Sequence, residues 1–174
     1  PSDCYQTKKL MEVLVKDNEP AYIRVGRNAV DPVYSEDNTP FEMDKATWVC
    51  KGDDVAIVAC GEMVLYAKRA AELLKAKGIS ATVLDMYCVK PLDKDAVIEA
   101  AKNAKAVITV EEHSPIGGLG SMVAQVVSES CPRKCITMAL PDAPVITGNS
   151  KEVFEYYHLT AEGIAAKAEE ALHG

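Results

Sequence analysis

The stretch VAIVACGEMVLYAKRAAELLKAKGISATVLDM (residues 55–86) contains two short apolar runs on either side of a longer segment with a helical pattern. The runs at 55–60 and 81–86 are almost continuously apolar, as expected of parallel strands that are covered on both faces. The segment between them, from about residue 63 to residue 77, is predicted to be a helix that ends at Gly78. The stretch therefore predicts a strand–helix–strand unit of a parallel sheet.

The same alternation of short apolar runs and helical patterns continues toward the C-terminus. Strands are predicted at 106–111 and 135–139, and helices at 93–103, 118–130 and 160–172. Asp93 and Thr160 are placed to cap the first and the last of these helices. This order of elements predicts a sheet with helices on both of its faces.

One further strand is predicted before this series. Residues 46–50 form the strand, and residues 51–54 (KGDD) form a tight turn, because glycine tolerates the positive φ that a hairpin requires. The strand is expected to pair antiparallel with residues 55–60. The predicted fold is therefore an α/β three-layer α/β/α sandwich with a five-stranded sheet, in which four strands are parallel and the first is antiparallel.

The composition excludes several classes of protein. Among 174 residues, 26 are acidic and 19 are Lys or Arg, and the basic residues are scattered, so a nucleic-acid-binding protein is not expected. No apolar run approaches the roughly 20 residues that cross a bilayer, so no membrane span is predicted. The six cysteines are dispersed, and the Cys131–Cys135 spacing is a poor zinc signature. We expect free thiols in a reducing, cytoplasmic compartment rather than a metal site.

The N-terminal segment has too few elements to form a core. Asp3 is predicted to cap a helix that runs to about residue 17, and residues 21–25 are predicted to form a short strand. One helix and one strand are not stable alone, and the chain begins with Pro1, so we expect the segment to complete a domain that starts upstream. Residues 28–45, with two prolines and no sustained periodicity, indicate a linker.

The loop at residues 111–121 carries candidate functional residues. Backbone amides at a helix N-terminus can bind a phosphate or a carboxylate. The G-G-x-G spacing here, however, matches neither the dinucleotide fingerprint nor the phosphate-binding loop, so close packing of helix on sheet is favoured over an anion site. The residues considered for an anion loop or an interface are Glu112, His113, Gly117, Gly118, Gly120 and Ser121.

Three side chains are candidates for acid–base catalysis or for phosphate binding. His113, beside Glu111 and Glu112, could act as a general acid or base, but it has no partnered nucleophile, so a hydrogen-bonded interface role is favoured. Arg24 and Arg27 lie at the end of the predicted N-terminal strand, where a guanidinium suits bidentate binding of phosphate. The alternative for both arginines is a solvated surface position.

Taken together, several blocks of the sequence resemble one family. They are PAYIRVGR, FEMDKATWVCKGDDVAIVACG, LDMYCVKPLD, VEEHSPIGGLGS and HLTAEGIAAKAEEAL, in that order. Their succession resembles the C-terminal part of transketolase-type, thiamine-diphosphate-dependent enzymes, above all the split transketolases whose C-terminal half is a separate polypeptide. The 1-deoxyxylulose-5-phosphate synthases and the beta subunits of 2-oxoacid dehydrogenases share this domain.

The resemblance implies a division of the chain and a location for the cofactor. Residues 1–34 would be the tail of the pyrimidine-binding domain, residues 35–45 a linker, and residues 46–174 the transketolase C-terminal domain. In the family, thiamine diphosphate and Mg²⁺ lie between two domains that this chain mostly lacks, so neither is expected to bind the chain alone. Arg27, and less directly Arg24, would bind the phosphate of the sugar substrate, although the residues around Arg27 read GRNA rather than the transketolase SRQN.

The resemblance also implies a function. The complete enzyme would transfer a two-carbon ketol unit between sugar phosphates, in the manner of the pentose phosphate pathway. This chain would be inactive alone, with a structural and dimer-forming role, and would need the N-terminal subunit or domains as its partner. The alternatives are a deoxyxylulose-phosphate synthase, a 2-oxoacid dehydrogenase beta subunit, or a stand-alone anion-binding or interaction module.

Overall fold

The computed structural model describes residues 1–173. Helices and strands alternate along most of this range. The helices are α1 (Cys4–Leu14), α2 (Met63–Ala76), α3 (Lys94–Asn103), α4 (Leu119–Ser130), α5 (Ser150–Tyr156) and α6 (Ala161–His173). The strands are β1 (Thr47–Cys50), β2 (Val55–Ala59), β3 (Ala81–Asp85), β4 (Ala106–Val110) and β5 (Lys134–Met138).

The five strands form one sheet in the order β1-β3-β2-β4-β5. Strand β1 is antiparallel to β3, and the other three pairings are parallel. Every residue of β2, β3 and β4 is buried, as their apolar runs predict. The predicted α/β sandwich, with a mostly parallel five-stranded sheet and an antiparallel first strand, is confirmed.

Two apolar layers enclose the sheet. On one face, Ile57 and Ile108 pack with the buried sides of α2 and α6. On the other face, Val58 and Val107 pack with α3 and α4. Neighbouring residues of one strand thus point to opposite layers, which is the alternation that the pleat of a strand imposes.

The predicted hairpin between β1 and β2 is wrong, because β1 pairs with β3. Residues 51–54 cross the start of β3, where the Gly52 amide donates to the Thr82 hydroxyl at 2.9 Å and the Gly52 carbonyl accepts from it at 2.7 Å. A β-carbon on Gly52 would lie 2.6 Å from the Ala81 nitrogen. Glycine is therefore required here by the close approach of two backbones and not by positive φ, which Gly52 does not adopt.

The remaining helix and strand predictions differ from the structure in three places. Helix α1 ends at Leu14 rather than near residue 17. Residues 21–25 form no strand, because no neighbouring strand within residues 1–173 pairs with them, and Tyr22 is 91% exposed. Helix α5 was not predicted, although a capping box between Asn149 and Glu152 marks its start.

None of the helices described in residues 1–173 combines the length and apolar character that crossing a bilayer requires.

Candidate functional site at the carboxyl edge of the sheet

The parallel strands β2, β3, β4 and β5 all end at one edge of the sheet, where ligands of open α/β folds usually bind. In this chain the N-terminal segment packs onto that edge. Ser2 and Gln6, near the start of α1, both reach Asp85, the last residue of β3. The candidate site is therefore built from two parts, the loops that follow the strands and residues 1–34.

Asp85 is the central side chain of this contact and is fully buried. Its Oδ2 atom accepts hydrogen bonds from Ser2 Oγ at 2.9 Å, Gln6 Nε2 at 2.7 Å and Tyr34 OH at 2.8 Å. Its Oδ1 atom is buried and has no hydrogen-bond partner within residues 1–173. Burial raises the pKa of the Asp85 carboxyl, and the three hydrogen bonds act in the opposite direction. Asp85 was not identified in the sequence, because its partners are distant along the chain.

Asp3 makes a second connection within the N-terminal segment. Its Oδ1 atom accepts a hydrogen bond from the Gln6 amide at 2.8 Å, which confirms the predicted helix cap. Its Oδ2 atom accepts from the amides of Val33 and Tyr34, at 2.9 and 2.8 Å. Asp3 therefore joins the start of α1 to the end of the segment, a role that the capping pattern alone does not reveal.

The structure brings two of the predicted site residues, Arg24 and Glu112, into contact. Arg24 Nη1 donates to the Glu112 carbonyl oxygen at 3.3 Å, and Arg24 Nη2 lies 3.9 Å from the Glu112 carboxylate. The contact links the N-terminal segment to the loop after β4. Nearby, burial and the charge of Glu112 raise the pKa of Glu62.

Arg27 lies on the exposed part of the N-terminal segment. Within residues 1–173 its guanidinium makes no ion pair and no hydrogen bond. Its neighbour Asn28 approaches the start of α5, where Asn28 Nδ2 lies 3.5 Å from Ser150 Oγ. Of the two predicted phosphate-binding arginines, Arg24 is thus engaged by Glu112, while the donors of Arg27 are free for an external anion.

The glycine loop before α4 receives a carboxylate from within the chain. The buried Glu111 side chain accepts hydrogen bonds from the amides of Leu119 at 2.7 Å and Gly120 at 2.8 Å. A β-carbon on Gly118 would overlap the Glu111 carboxylate, and one on Gly120 would lie 2.5 Å from the Thr137 hydroxyl. Two of the amides that could bind an external anion are therefore already used, and both glycines permit close packing.

The other loop residues brace the loop itself. Ser121 Oγ donates to the Pro115 carbonyl at 2.8 Å and accepts from the Gly117 amide at 3.0 Å. His113 Nδ1 lies 2.9 Å from the Ser114 carbonyl oxygen and 4.0 Å from Glu111 Oε2. Within residues 1–173 the ring contacts no serine hydroxyl or cysteine thiol at hydrogen-bonding distance. The geometry gives His113 a place in the loop but no nucleophile to activate.

The acidic side chains and the thiols near this edge were compared with the requirements of a metal site and of a reactive cysteine. Among the described residues, no group of three or more His, Cys, Asp or Glu side chains is arranged to hold a metal ion. Cys131 and Cys135 are free thiols. Burial, with the nearby charges of Glu111 and Asp85, raises the pKa of the Cys60 thiol to about 12, so this thiol is not an activated nucleophile.

Two surface depressions lie elsewhere on the molecule. One, of about 180 Å³, lies between α2, α5 and the start of α6 and is lined by Tyr66 and Phe154. The other, of about 220 Å³, lies between α3 and α4 and is lined by Leu92 and Met122. Both are smaller than the roughly 300 Å³ at which ligand pockets usually begin, and neither includes Arg27.

The class of this protein follows from a comparison of the chain with known families. Residues 44–164 match the family described as transketolase, C-terminal domain. The chain belongs to the transketolase C-terminal domain family, as its sequence blocks predicted.

Three curated proteins show which members of this family the chain is similar to. Over 168 residues the chain is 45% identical to one subunit of the apulose-4-phosphate transketolase of Phocaeicola vulgatus, an alignment that covers 97% of the chain and 54% of the relative. It is 37% identical over 170 residues to a 6-deoxy-6-sulfo-D-fructose transketolase subunit of Clostridium sp., covering 98% and 52%. It is 33% identical over 172 residues to 1-deoxy-D-xylulose-5-phosphate synthase of Heliobacterium modesticaldum, covering 98% and 27%. The chain thus spans about half the length of the transketolase subunits that it matches.

Solved structures agree with these relatives. A split-gene transketolase described as an inactive beta4 tetramer superposes with a TM-score of 0.90 at 40% identity, covering 99% of this chain and 56% of that one. Transketolase of Pichia stipitis superposes with a TM-score of 0.59 at 22% identity, covering 75% and 18%, which shows a shared fold. The chain is therefore a C-terminal part of the split-transketolase type, as predicted.

Proposed function

We propose that this chain contributes the C-terminal domain and a substrate-binding arginine to a split transketolase that transfers a two-carbon ketol unit between sugar phosphates. In this proposal residues 1–34 complete the pyrimidine-binding domain, residues 35–45 connect it, and residues 46–174 form the C-terminal domain. The chain alone is not catalytic. Its partners are the N-terminal subunit and a second copy of its own subunit, and the assembly acts in the cytoplasm.

The free guanidinium of Arg27 carries this proposal. Arg27 lies on a segment that Asp3 and Asp85 hold against the sheet edge, and its five N–H donors suit an oxyanion. The names of two relatives contain a sugar phosphate in one case and a sulfonated sugar in the other. Both kinds of sugar end in a tetrahedral oxyanion, and a guanidinium can bind either group through two parallel hydrogen bonds.

The exposed apolar side chains of the N-terminal segment support the proposed division. Tyr22 and Val25 flank Arg24 and project into solvent, and Val15 after α1 is also exposed. Three large apolar side chains exposed within residues 15–25 indicate a surface that another unit covers. In the proposed assembly that unit is the remainder of the pyrimidine-binding domain.

Thiamine diphosphate and Mg²⁺, the cofactors of this family, do not fit the residues of this chain. A diphosphate with its metal ion needs carboxylate or amide oxygens around the metal, and residues 1–173 contain no such cluster of acidic side chains. The α4 amides of Leu119 and Gly120, which could bind a phosphate, are taken by Glu111. The cofactors are therefore assigned to residues outside this chain, on the upstream part and the N-terminal subunit.

A reconstituted enzyme tests the proposal. The complete subunit is combined with its N-terminal partner, thiamine diphosphate and Mg²⁺, and is assayed for ketol transfer from a ketose phosphate to an aldose phosphate. We expect transfer by the complex and none by this chain alone. Turnover by the isolated chain, or none by the complex with any ketose phosphate or sulfonated ketose donor, contradicts the proposal.

The second candidate is a 1-deoxyxylulose-5-phosphate synthase, which 33% identity over 98% of the chain favours. Formation of 1-deoxyxylulose 5-phosphate by the reconstituted complex, in place of ketol transfer between sugar phosphates, would select the synthase. Turnover of a 2-oxoacid would select the dehydrogenase beta subunit, and phosphate binding by the isolated chain combined with no turnover by the complex of the two subunits would select a stand-alone anion-binding module.

A further inference from the structure

The segment that carries Arg24 and Arg27 has no regular structure of its own. No helix or strand forms between Leu14 and Thr47, and most residues from 15 to 32 are exposed. Such a segment cannot fix the position of an arginine by its own hydrogen bonds. The position of Arg27 therefore depends on how the segment is attached to the rest of the protein, through the exposed contacts of Arg24 with Glu112 and of Asn28 with Ser150 and through the buried attachments at its two ends.

Both ends of this segment converge on one carboxylate. Ser2 and Gln6 lie before it and Tyr34 lies after it, and all three donate to the same Oδ2 atom of Asp85. The Asp3 carboxylate ties the two ends to each other through the amides of Gln6 and Tyr34. The result is a closed loop of chain with its base fixed at the end of β3.

Every hydrogen-bond donor to the Asp85 side chain belongs to residues 1–34, and none belongs to residues 46–173. Burying a carboxylate is costly unless hydrogen bonds compensate for the lost water. Without the N-terminal segment, the Asp85 side chain would have no partner in the C-terminal domain. The side chain of Asp85 therefore binds the N-terminal segment and forms no hydrogen bond that would stabilise the sheet to which Asp85 belongs.

We propose that Asp85 is a positioning residue for substrate binding, because it anchors both ends of the segment that presents Arg27 to the anionic end of the sugar. This inference rests on the function proposed above. Asp85 does not touch the substrate, and its effect is transmitted through Ser2, Gln6 and Tyr34. Loss of the anchor is expected to weaken donor binding while the chemical step keeps its rate once the donor is bound.

Two variants weaken the anchor from opposite sides. Asp85→Asn removes the charge and leaves a neutral amide oxygen to accept the hydrogen bonds, and Ser2→Ala combined with Tyr34→Phe removes two donors while Asp85 stays in place. Asp53→Asn is the matched control, because Asp53 is exposed and precedes β2 at the opposite edge of the sheet. The second variant keeps the test decisive if Asp85→Asn does not fold.

The effect of these variants on the reconstituted enzyme is measured by amide hydrogen exchange and by steady-state kinetics. Amide hydrogen exchange in residues 20–34 is expected to accelerate about tenfold, since charge-assisted hydrogen bonds are lost, while exchange in β2 and β4 is unchanged. KM for the ketose donor is expected to rise about tenfold at nearly constant kcat. In an Arg27→Ala background the same substitution is expected to change KM less than about twofold, since the arginine that it positions is gone.

Three results would overturn the proposal. The first is unchanged exchange in residues 20–34 in both variants. The second is a fall in kcat at constant KM. The third is an equal rise of KM in the Arg27→Ala background, which indicates general destabilisation. A wild-type complex without ketol transfer overturns the proposed function instead, and the exchange experiment then still decides whether Asp85 anchors the segment.

Discussion

The carboxylate of Glu111 occupies the space that a β-carbon on Gly118 would need. Glu111 comes directly after β4, and Gly118 comes directly before α4, so the contact closes the loop between them. From this position the carboxylate accepts hydrogen bonds from the Leu119 and Gly120 amides at the positive end of the helix. The glycine is therefore part of the same arrangement as the carboxylate, and neither residue can be changed without affecting the other.

Gly118→Ala is expected to destabilise the fold by about 1–3 kcal/mol, because the new methyl group displaces a buried carboxylate from its hydrogen bonds. Urea unfolding measures the change. Gly26→Ala is the control and is expected to change the free energy of unfolding by less than about 0.5 kcal/mol, because no atom lies within 4 Å of the new methyl group. In a Glu111→Ala background, Gly118→Ala should cost less than in the wild type, and an equal cost would contradict the overlap.

Gly52→Ala is expected to cost at least about 2 kcal/mol, because its β-carbon would meet the backbone of Ala81 rather than a flexible side chain. Backbone atoms of β3 cannot move aside without breaking the pairing with β1 and β2. Urea unfolding of the variant, with Gly26→Ala again as control, measures the loss. An unchanged unfolding midpoint would show that residues 51–54 do not pass as closely over β3 as the structure describes.

Arg27→Ala is expected to raise KM for the ketose donor about 10- to 100-fold, as for the loss of a charge-assisted contact to an oxyanion. Arg24→Ala is expected to raise KM less, because the Arg24 guanidinium is already engaged by Glu112. Steady-state kinetics of the reconstituted enzyme compare the two. Lys75→Ala on α2, which removes one exposed positive charge far from the edge, should leave KM unchanged. A larger effect of Arg24 than of Arg27 would reverse the assignment.

Asp54 is expected to make the stability depend on pH below about 4. The Ser80 amide, the Lys105 ammonium and the Ser80 hydroxyl donate to its carboxylate and lower its pKa to about 2. Because this pKa lies below the value of about 3.9 in an unfolded chain, the ionised carboxylate stabilises the fold above pH 4. That stabilisation is lost as the pH falls from about 4 to about 2.

The comparison of Asp54→Asn with the wild type checks this expectation. Urea unfolding at pH 6 should show the variant less stable, and at pH 3 the difference between the two proteins should shrink. Asp53→Asn, on the neighbouring exposed residue, serves as control and should show no comparable pH dependence of the difference. A difference that stays constant between pH 6 and pH 3 would contradict the lowered pKa.

Local patterns predicted much of the fold. The apolar runs located β2, β3 and β4 to within one residue, and the caps at Asp3, Asp93 and Thr160 marked the starts of three helices. These signals work because a buried strand needs apolar side chains on both faces and a helix start needs an acceptor for its free amides. Each of these requirements is met by residues that are neighbours in sequence.

The candidate site was predicted only in part. The sequence drew attention to Arg24, Glu112 and the glycine loop, and the structure joins the first two. The sequence patterns did not identify Asp85, Tyr34 or the role of Glu111. Asp85 bonds to Ser2 across 83 positions of sequence, and no periodic pattern encodes such a pair. The hairpin prediction for β1 failed for the same reason, because the pairing partner of a strand is set by the whole sheet.

The sequence by itself determined that this chain forms a mostly parallel sheet covered by helices, and its ordered blocks identified the family. The tertiary structure decided that β1 crosses to β3, that Glu111 closes the glycine loop, and that the N-terminal segment is fastened at Asp85. The physical reason is a difference in range. Burial and capping act between near neighbours, whereas strand pairing and the compensation of a buried carboxylate depend on which distant parts of the chain meet when the core forms.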